Sequence, residues 1–442
     1  MTHYPDTLRL DPVYALEGAI DLPGSKSISN RALLLAAHAQ GTTRLLNLLD
    51  SDDTGYMLAA LNTLGVAVER QGSTCRVTGR AGPLVTSAAH HDLYLGLAGT
   101  ALRPLAAALT LGQGTFAIDG SARMRERPVG DLVDGLNQLG ARIRYLGQTG
   151  YPPIEVTGTG LAGGTVRMRG DVSSQFLTSL LLCAPLAQGP ITVIVEGEQV
   201  SKPYLDITVQ MMRAFGANVT HVDLARFDVQ PGPYRSPGDF LVEGDASSAS
   251  YFLAAGAIRG RGVTVRGIGT HSVQGDVAFA DVLAAMGARV SRAADHITVA
   301  PPRSGSLRGI DVDLNHIPDA AMTLAVLALF AEGTTVIRNV GNWRVKETDR
   351  LHAMATELTR IGARVTEGPD FLQVEPVDSL RHAEIDTYGD HRMAMCFSLI
   401  ALSGTAVTLR DPGCVAKTFP DYFERFQHLC TMRNGQDPNR PE

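Results

Sequence analysis

Six segments of this chain open a helix with groups suited to holding an anion. They are Leu22-Pro-Gly-Ser-Lys-Ser-Ile-Ser-Asn-Arg31, Leu97-Ala-Gly-Thr-Ala-Leu-Arg103, Asp171-Val-Ser-Ser-Gln175, Glu243-Gly-Asp-Ala-Ser-Ser248, Ile317-Pro-Asp-Ala320 and Tyr388-Gly-Asp-His-Arg392. Lys26, Arg103 and His391-Arg392 put cationic side chains where a helix dipole disfavours them, by roughly a few tenths of a kcal/mol or more. A bound anion would reverse that penalty, because the free N–H groups of the helix start and the cation would then face one negative charge. Ser25, Ser27 and Ser29 add hydroxyls, and Gly24 lets a ligand approach the backbone. Arg31 lies four residues after Ser27, on the same helix face. Ser173-Ser174-Gln175 offers neutral donors at another start. A nucleotide P-loop is not met, because Ser25 separates Gly24 from Lys26.

The elements that must position these groups repeat. After each start comes an Ala/Leu-rich stretch that ends at a glycine opening a β-branched run: Gly41, Gly114, Gly189, Gly262, Gly333 and Gly404. Their spacings are 73, 75, 73, 71 and 71 residues, the mark of a duplicated module. A second landmark keeps step: Leu64-Gly65-Val66, Leu139-Gly140-Ala141, Phe215-Gly216-Ala217, Met286-Gly287-Ala288 and Ile361-Gly362-Ala363. Glycine there suits a left-handed helix end, and the branched residues after it suit a strand. One module reads as helix, strand, loop, helix, Gly-turn, strand, strand. The sixth copy lacks its second landmark, and Leu8–Ile20 could supply the missing strands. The expected fold class is α/β, with two inverse α/β domains of three βαβαββ units each, joined by two crossovers. Domain one takes residues 1–20 and 241–430, domain two takes 21–240, and 431–442 is a polar tail expected to be disordered. Loops after the short strands carry further basic residues: Ser121-Ala-Arg-Met-Arg-Glu-Arg127, Val200-Ser-Lys-Pro-Tyr204, Asn342-Trp-Arg-Val-Lys-Glu-Thr-Asp-Arg350 and Asp411-Pro-Gly-Cys-Val-Ala-Lys417. Equivalent phase in the repeat predicts that they converge on a site for small polyanions.

Composition narrows the classes. A chain of 442 residues exceeds one comfortable core. A net charge of −6 argues against a general nucleic-acid binder. The apolar run Ala320–Ala331 is too short to span a bilayer. The start Met1-Thr-His-Tyr-Pro-Asp has no basic and apolar leader pattern, so no secretory signal is expected. Five scattered cysteines without a Cys-x-x-Cys spacing read as reduced thiols of a cytoplasmic protein.

Nine motifs, in order, resemble the 5-enolpyruvylshikimate-3-phosphate synthase family from about Leu8 to Leu429. They are Leu22–Arg31, Ala98–Pro104, Arg123–Pro128, Asp171–Phe176, Ser201–Tyr204, Pro318–Ala320, Asn342–Arg350, Asp390–Arg392 and Lys417–Asp421. The resemblance implies transfer of the enolpyruvyl group of phosphoenolpyruvate to the 5-hydroxyl of shikimate 3-phosphate, a step of aromatic amino-acid synthesis. It implies no cofactor, no metal, no nucleic-acid or membrane partner, and a monomer is expected. Carried over residue by residue, it places Lys26, Ser27 and Arg31 on shikimate 3-phosphate, the latter two towards its carboxylate. Ser173, Ser174 and Ser201 hold its phosphate, with Asn342 and Lys346 nearby, and Gln175 lies between the substrates. Gly99, Arg127, Gln175 and Lys417 take the phosphate of phosphoenolpyruvate, where Lys26 also reaches, and Arg350 and Arg392 take its carboxylate. Asp319 removes the 5-hydroxyl proton, and Glu347 and Lys26 handle the proton at the enol methylene. Gly99 with Ser173-Ser174-Gln175 matches members inhibited by glyphosate.

Two positions depart from the family pattern. Leu97 stands where Asn is usual, and Gly389 stands where a larger residue, often Asn, precedes Asp390. Other residues have plainer readings: His90-His91 as a loop pair, Trp343 as packing, Arg103 as a brace, and Asp52-Asp53 and Asp245 as helix caps. Three alternatives remain: the related transferase acting on a UDP-sugar, an inactive anion-binding protein of the same fold, and a nucleotide hydrolase. The first carries a reactive Cys in the loop that here reads Gly120–Pro128, which has none. The retained Asp319, Glu347 and Lys26 oppose the second, and the broken P-loop opposes the third.

Overall fold

Repeat two shows the module in full: strand Val85–Tyr94, helix Gly99–Thr110, strand Gln113–Asp119, helix Gly130–Gln138, and strands Arg142–Tyr145 and Ile154–Gly158. The first two strands pair in parallel across the helix between them, and the last two pair antiparallel. Repeats three and five have the same strand order. The computed structural model describes residues Tyr4–Thr431; the start Met1–His3 and the tail Met432–Glu442 lie outside the described residues.

The remaining repeats borrow strands from elsewhere in the chain. Asp239–Leu241, which follows repeat three, pairs in parallel with Thr42–Leu46 of repeat one. Ala15–Asp21 pairs in parallel with Gly262–Arg266 of repeat four. Thr7–Leu10 pairs antiparallel with Val407–Arg410 of repeat six. Only the first part of the Leu8–Ile20 segment therefore completes repeat six, while the second part leads repeat four. The five glycines of the second landmark all have positive φ, from 74° to 103°, as a left-handed helix end requires.

The chain divides into two compact lobes. The contiguous lobe comprises Pro23–Glu243 with Val345–Glu347; the split lobe comprises the chain up to Leu22, Gly244–Arg344, and the chain from Thr348 on. In the contiguous lobe the first helices of three repeats, Lys26–His38, Gly99–Thr110 and Ser174–Cys183, pack together. They are buried almost all round, which is why their sequences lack a polar face. The split lobe packs Ala246–Ile258, Pro318–Leu327 and His391–Ser398 in the same way, around Phe252, Leu324, Phe397 and Tyr422. No helix among the described residues is long and apolar enough to cross a membrane.

Two sequence readings change. His90 and His91 lie in the strand Val85–Tyr94 rather than a loop. His91 stacks on Phe116 of the neighbouring strand at 5.7 Å. The helix Asp52–Thr63 is capped by Ser51, whose hydroxyl and Thr54 form a reciprocal capping box. Asp52 and Asp53 instead occupy the first turn, while Asp245 does cap its helix through Ser247 and Ser248 N–H.

His38 ends the first helix wholly buried. Its Nδ1 lies 2.8 Å from the Gly82 carbonyl, which can only accept, so Nδ1 carries the proton. Burial pushes the imidazole down to about 4, against a raising effect of that bond. The unfolded chain binds this proton more readily, so stability is present above the ordinary histidine range and lost as pH falls through it towards about 4. Urea unfolding at pH 7.5 and pH 5 should show an extra loss of about 2 kcal/mol in the native protein relative to His38→Gln. Equal losses in both proteins would remove His38 as the cause.

Candidate functional site

In the contiguous lobe, Lys26 is the first residue of its helix and is nearly buried. Its Nζ lies 3.5 Å from Asp53 Oδ2, so the first turn of the next helix supplies the countercharge. Polar groups further along are pinned by the fold. Ser29 Oγ accepts from Leu49 N–H, and Asn30 donates to Thr100 Oγ1. Arg31 donates to the Ser27 carbonyl at 2.9 Å, to Thr208 Oγ1 at 3.0 Å and to Thr178 Oγ1 at 3.2 Å. It thereby fixes the backbone at Ser27, and burial pushes its guanidinium down to about 10.

Gly99 opens the next helix after a tight turn in which its N–H donates to the Leu97 carbonyl. Two arginines crowd this glycine. A Cβ built on it would lie 2.5 Å from Arg103 Nη1, 3.2 Å from Arg127 Nη1 and 3.2 Å from Gln175 Oε1. Arg103 is braced: Nη1 donates to Gln175 Oε1 at 2.7 Å and Nη2 to the Pro128 carbonyl at 2.9 Å. Arg127 is 3% exposed, and its Nε and Nη1 find no hydrogen-bond acceptor. Its nearest countercharge is Glu347 Oε1, at 4.0 Å from Nη1. Burial, and then repulsion by Arg127, push the Arg103 guanidinium well below its ordinary value, against the pull of Glu347. Two adjacent buried cations with vacant donors are costly to keep and call for an anion. Arg123 holds the Lys346 and Glu347 carbonyls at 3.0 and 3.1 Å, which sets the position of Glu347.

Ser173 caps the third helix through Gln175 N–H, leaving Ser174 and Gln175 in its first turn. Ser201 is buried with φ of 57°, a left-handed conformation that is strained for a residue with a side chain. It stands just ahead of the helix Pro203–Ala214.

In the split lobe, Asp319 is the second residue of the helix Pro318–Leu327. The buried Trp343 donates its Nε1–H to the Pro318 carbonyl at 2.7 Å, which fixes that helix start. Arg350 Nη1 donates to Asp319 Oδ1 at 2.9 Å, and Arg392 Nη2 donates to Oδ2 at 2.8 Å. Asp390 caps the helix His391–Ser398 and accepts Arg350 Nε at 2.7 Å. Asn342 lies in the turn Gly341–Val345, and Lys417 ends the turn Pro412–Lys417. Burial pushes the Cys414 thiol up, which disfavours the thiolate. Among the described residues no cluster of His, Cys, Asp or Glu could hold a metal ion.

The geometry thus gathers Gly99, Arg127, Gln175 and Glu347 in one lobe, and Asp319, Arg350 and Arg392 in the other. Sequence reasoning missed the partners that set these groups: Asp53 for Lys26, Asp390 for Arg350, and Tyr251, whose hydroxyl accepts from Arg392 at 3.1 Å. The Asp of Asp390-His391-Arg392 was the one available signal, since an acid beside two cations suggests an internal pair.

Six inverse α/β repeats, three of them with cationic helix starts, define an enolpyruvyl transferase-like fold. A solved enolpyruvyl transferase, NikO from Streptomyces tendae, shares that fold with a TM-score of 0.77 at 21% identity, over 96% of this chain and 97% of that one. The model of the EPSP synthase family (3-phosphoshikimate 1-carboxyvinyltransferase) matches residues 10–426, and the chain belongs to that family. A 3-phosphoshikimate 1-carboxyvinyltransferase from Shewanella amazonensis is 59% identical over 427 residues, covering 96% of this chain and 99% of the relative. The structure of EPSP synthase from Acinetobacter baumannii matches with a TM-score of 0.81 at 27% identity, over 96% and 98% of the two chains.

Proposed function

We infer that the protein is a transferase that moves the enolpyruvyl group of phosphoenolpyruvate to the 5-hydroxyl of shikimate 3-phosphate and releases phosphate. The observation that carries this reading is the family match across residues 10–426. The buried arginine pair beside Gly99 supports it, because Glu347 offers one carboxylate against two guanidiniums and several of their donors have no acceptor. The product feeds aromatic amino-acid synthesis. The five free cysteines support a cytoplasmic location, and the family resemblance is what points to a monomer that needs no cofactor.

In this reading Lys26, Ser27 and Arg31 engage shikimate 3-phosphate, and Ser173, Ser174 and Ser201 its phosphate, with Gln175, Asn342 and Lys346 alongside. Arg127, Lys417, Gln175 and the Gly99 backbone take the phosphate of phosphoenolpyruvate. Lys26 reaches both ligands, and Arg350 and Arg392 take the carboxylate, a pairing that two planar guanidiniums favour. Asp319 accepts the 5-hydroxyl proton as that oxygen bonds to C2 of phosphoenolpyruvate, while Glu347 or Lys26 delivers a proton to C3. The resulting tetrahedral intermediate then loses a proton from C3 and phosphate from C2, restoring the double bond. Phosphate release should require both substrates. Release with phosphoenolpyruvate and UDP-N-acetylglucosamine instead would favour the related transferase.

Glyphosate should compete with phosphoenolpyruvate and depend on shikimate 3-phosphate, because Gly99 leaves space beside Arg127 and Gln175. In Gly99→Ala the methyl must displace Arg103, which is held at both ends. The inhibition constant for glyphosate should rise about a hundredfold and the phosphoenolpyruvate KM about tenfold, steps of roughly 1.4 kcal/mol per decade. Leu97→Asn separates a loop effect: it should move both constants together or neither. Native activity untouched by tens of millimolar glyphosate (roughly tens of times a weak millimolar affinity), with an ordinary phosphoenolpyruvate KM, would end the sensitive-class reading.

A further inference from the structure

The carboxylate of Asp319 occupies the place that two arginines would offer to a ligand. Oδ1 accepts from Arg350 Nη1 at 2.9 Å and Oδ2 from Arg392 Nη2 at 2.8 Å. One arginine on each oxygen is the arrangement such a pair presents to any carboxylate. Both arginines are held from behind. Arg350 donates Nε and Nη2 to the buried Asp390, at 2.7 and 3.3 Å, and Arg392 donates Nη1 to the buried Tyr251 hydroxyl. These contacts fix the guanidiniums independently of Asp319. Asp319 itself is more accessible: its side chain is 19% exposed, against 1% for Arg350 and 4% for Arg392.

We propose that Asp319 is a resident stand-in for a substrate carboxylate, displaced from the Arg350–Arg392 pair when phosphoenolpyruvate binds and thereby freed to act as the base. This rests on the reading above that assigns those arginines to the phosphoenolpyruvate carboxylate. The exchange is one anion for another, so the buried cations keep a countercharge throughout. It also couples binding to chemistry. A carboxylate held by two guanidiniums is a poor proton acceptor, and losing them raises its affinity for a proton. Asp319 becomes an effective base when the second substrate is in place. The exchange has a cost: the resident carboxylate competes with the ligand, so phosphoenolpyruvate binds more weakly than the clamp alone would allow.

Equilibrium titration without shikimate 3-phosphate, which prevents turnover, tests the idea. The ligands are phosphoenolpyruvate and its carboxylate methyl ester. Asp319→Asn keeps the shape and removes the competing charge, so phosphoenolpyruvate should bind about tenfold tighter while the ester is unchanged, a step of one decade in affinity. Unchanged or weaker phosphoenolpyruvate binding in Asp319→Asn, with Arg392→Gln still weakening phosphoenolpyruvate alone, would overturn the exchange and leave the arginine assignment standing. No effect of Arg392→Gln on either ligand would overturn the assignment and the exchange with it. A structure of the native protein with both substrates needs no variant to fold. It should show Asp319 withdrawn from both arginines, beyond about 3.5 Å and so outside hydrogen-bonding range, with Arg350 still on Asp390. Both Asp319 contacts intact beside bound phosphoenolpyruvate would refute the exchange outright.

Discussion

Asp319→Asn should lower kcat about a thousandfold, within the range that a positioned base contributes, and leave the shikimate 3-phosphate dissociation constant unchanged. The amide is nearly the same size and can still accept from one arginine, so the helix start held by Trp343 should survive. It cannot accept the 5-hydroxyl proton. Rapid-quench turnover, with calorimetric binding of shikimate 3-phosphate, measures the two effects separately. A near-normal kcat with an unchanged pH profile would remove Asp319 from the role of base.

Lys26→Met should weaken both ligands and turnover, each by about a hundredfold, the scale of a hydrogen bond to a charged group worth roughly 1.5–3 kcal/mol. This change also acts on the fold. The Lys26 and Asp53 side chains are only 11% and 3% exposed, so removing the cation leaves a buried carboxylate without that balance. Breaking such a pair by removing one partner costs about 3–5 kcal/mol. The double change Lys26→Met with Asp53→Asn separates the effects. It should recover most of the lost stability in urea and none of the lost activity. Recovery of activity with stability would mean that Lys26 serves the fold alone.

The α/β repeat architecture was legible because its signals are local. A glycine needed for a left-handed helix end recurs at Gly65, Gly140, Gly216, Gly287 and Gly362, and each has positive φ in the structure. The six helix starts were legible for the same reason: Lys26, Gly99, Ser174, Ala246, Pro318 and His391 begin helices where the anion-suited residues stand. Strand exchange was less legible. Thr7–Leu10 and Ala15–Asp21 are neighbours in sequence but join the sheets of repeats six and four, and sheet pairing at such separation leaves no local mark. The cap at Ser51 was passed over because two acids follow it, although the Ser-x-x-Thr spacing was there to read. At the candidate site, residue types showed which groups could hold anions. They did not show which groups hold one another. That Asp319 is bound by Arg350 and Arg392, and that Arg103 braces Gln175, depends on distances between segments tens of residues apart.

Transfer by addition and elimination leaves a signature that one reaction can read. Shikimate 3-phosphate and phosphoenolpyruvate labelled with carbon-13 at C2 are incubated with the protein in deuterated water, and the product is read by carbon and proton NMR. The labelled carbon should be bonded to the 5-oxygen of the shikimate ring, with equimolar phosphate and deuterium in the product methylene, since C3 is protonated from solvent and then deprotonated. A product whose methylene carries no deuterium would contradict the intermediate, and no coupling of the label to shikimate 3-phosphate would contradict the function itself.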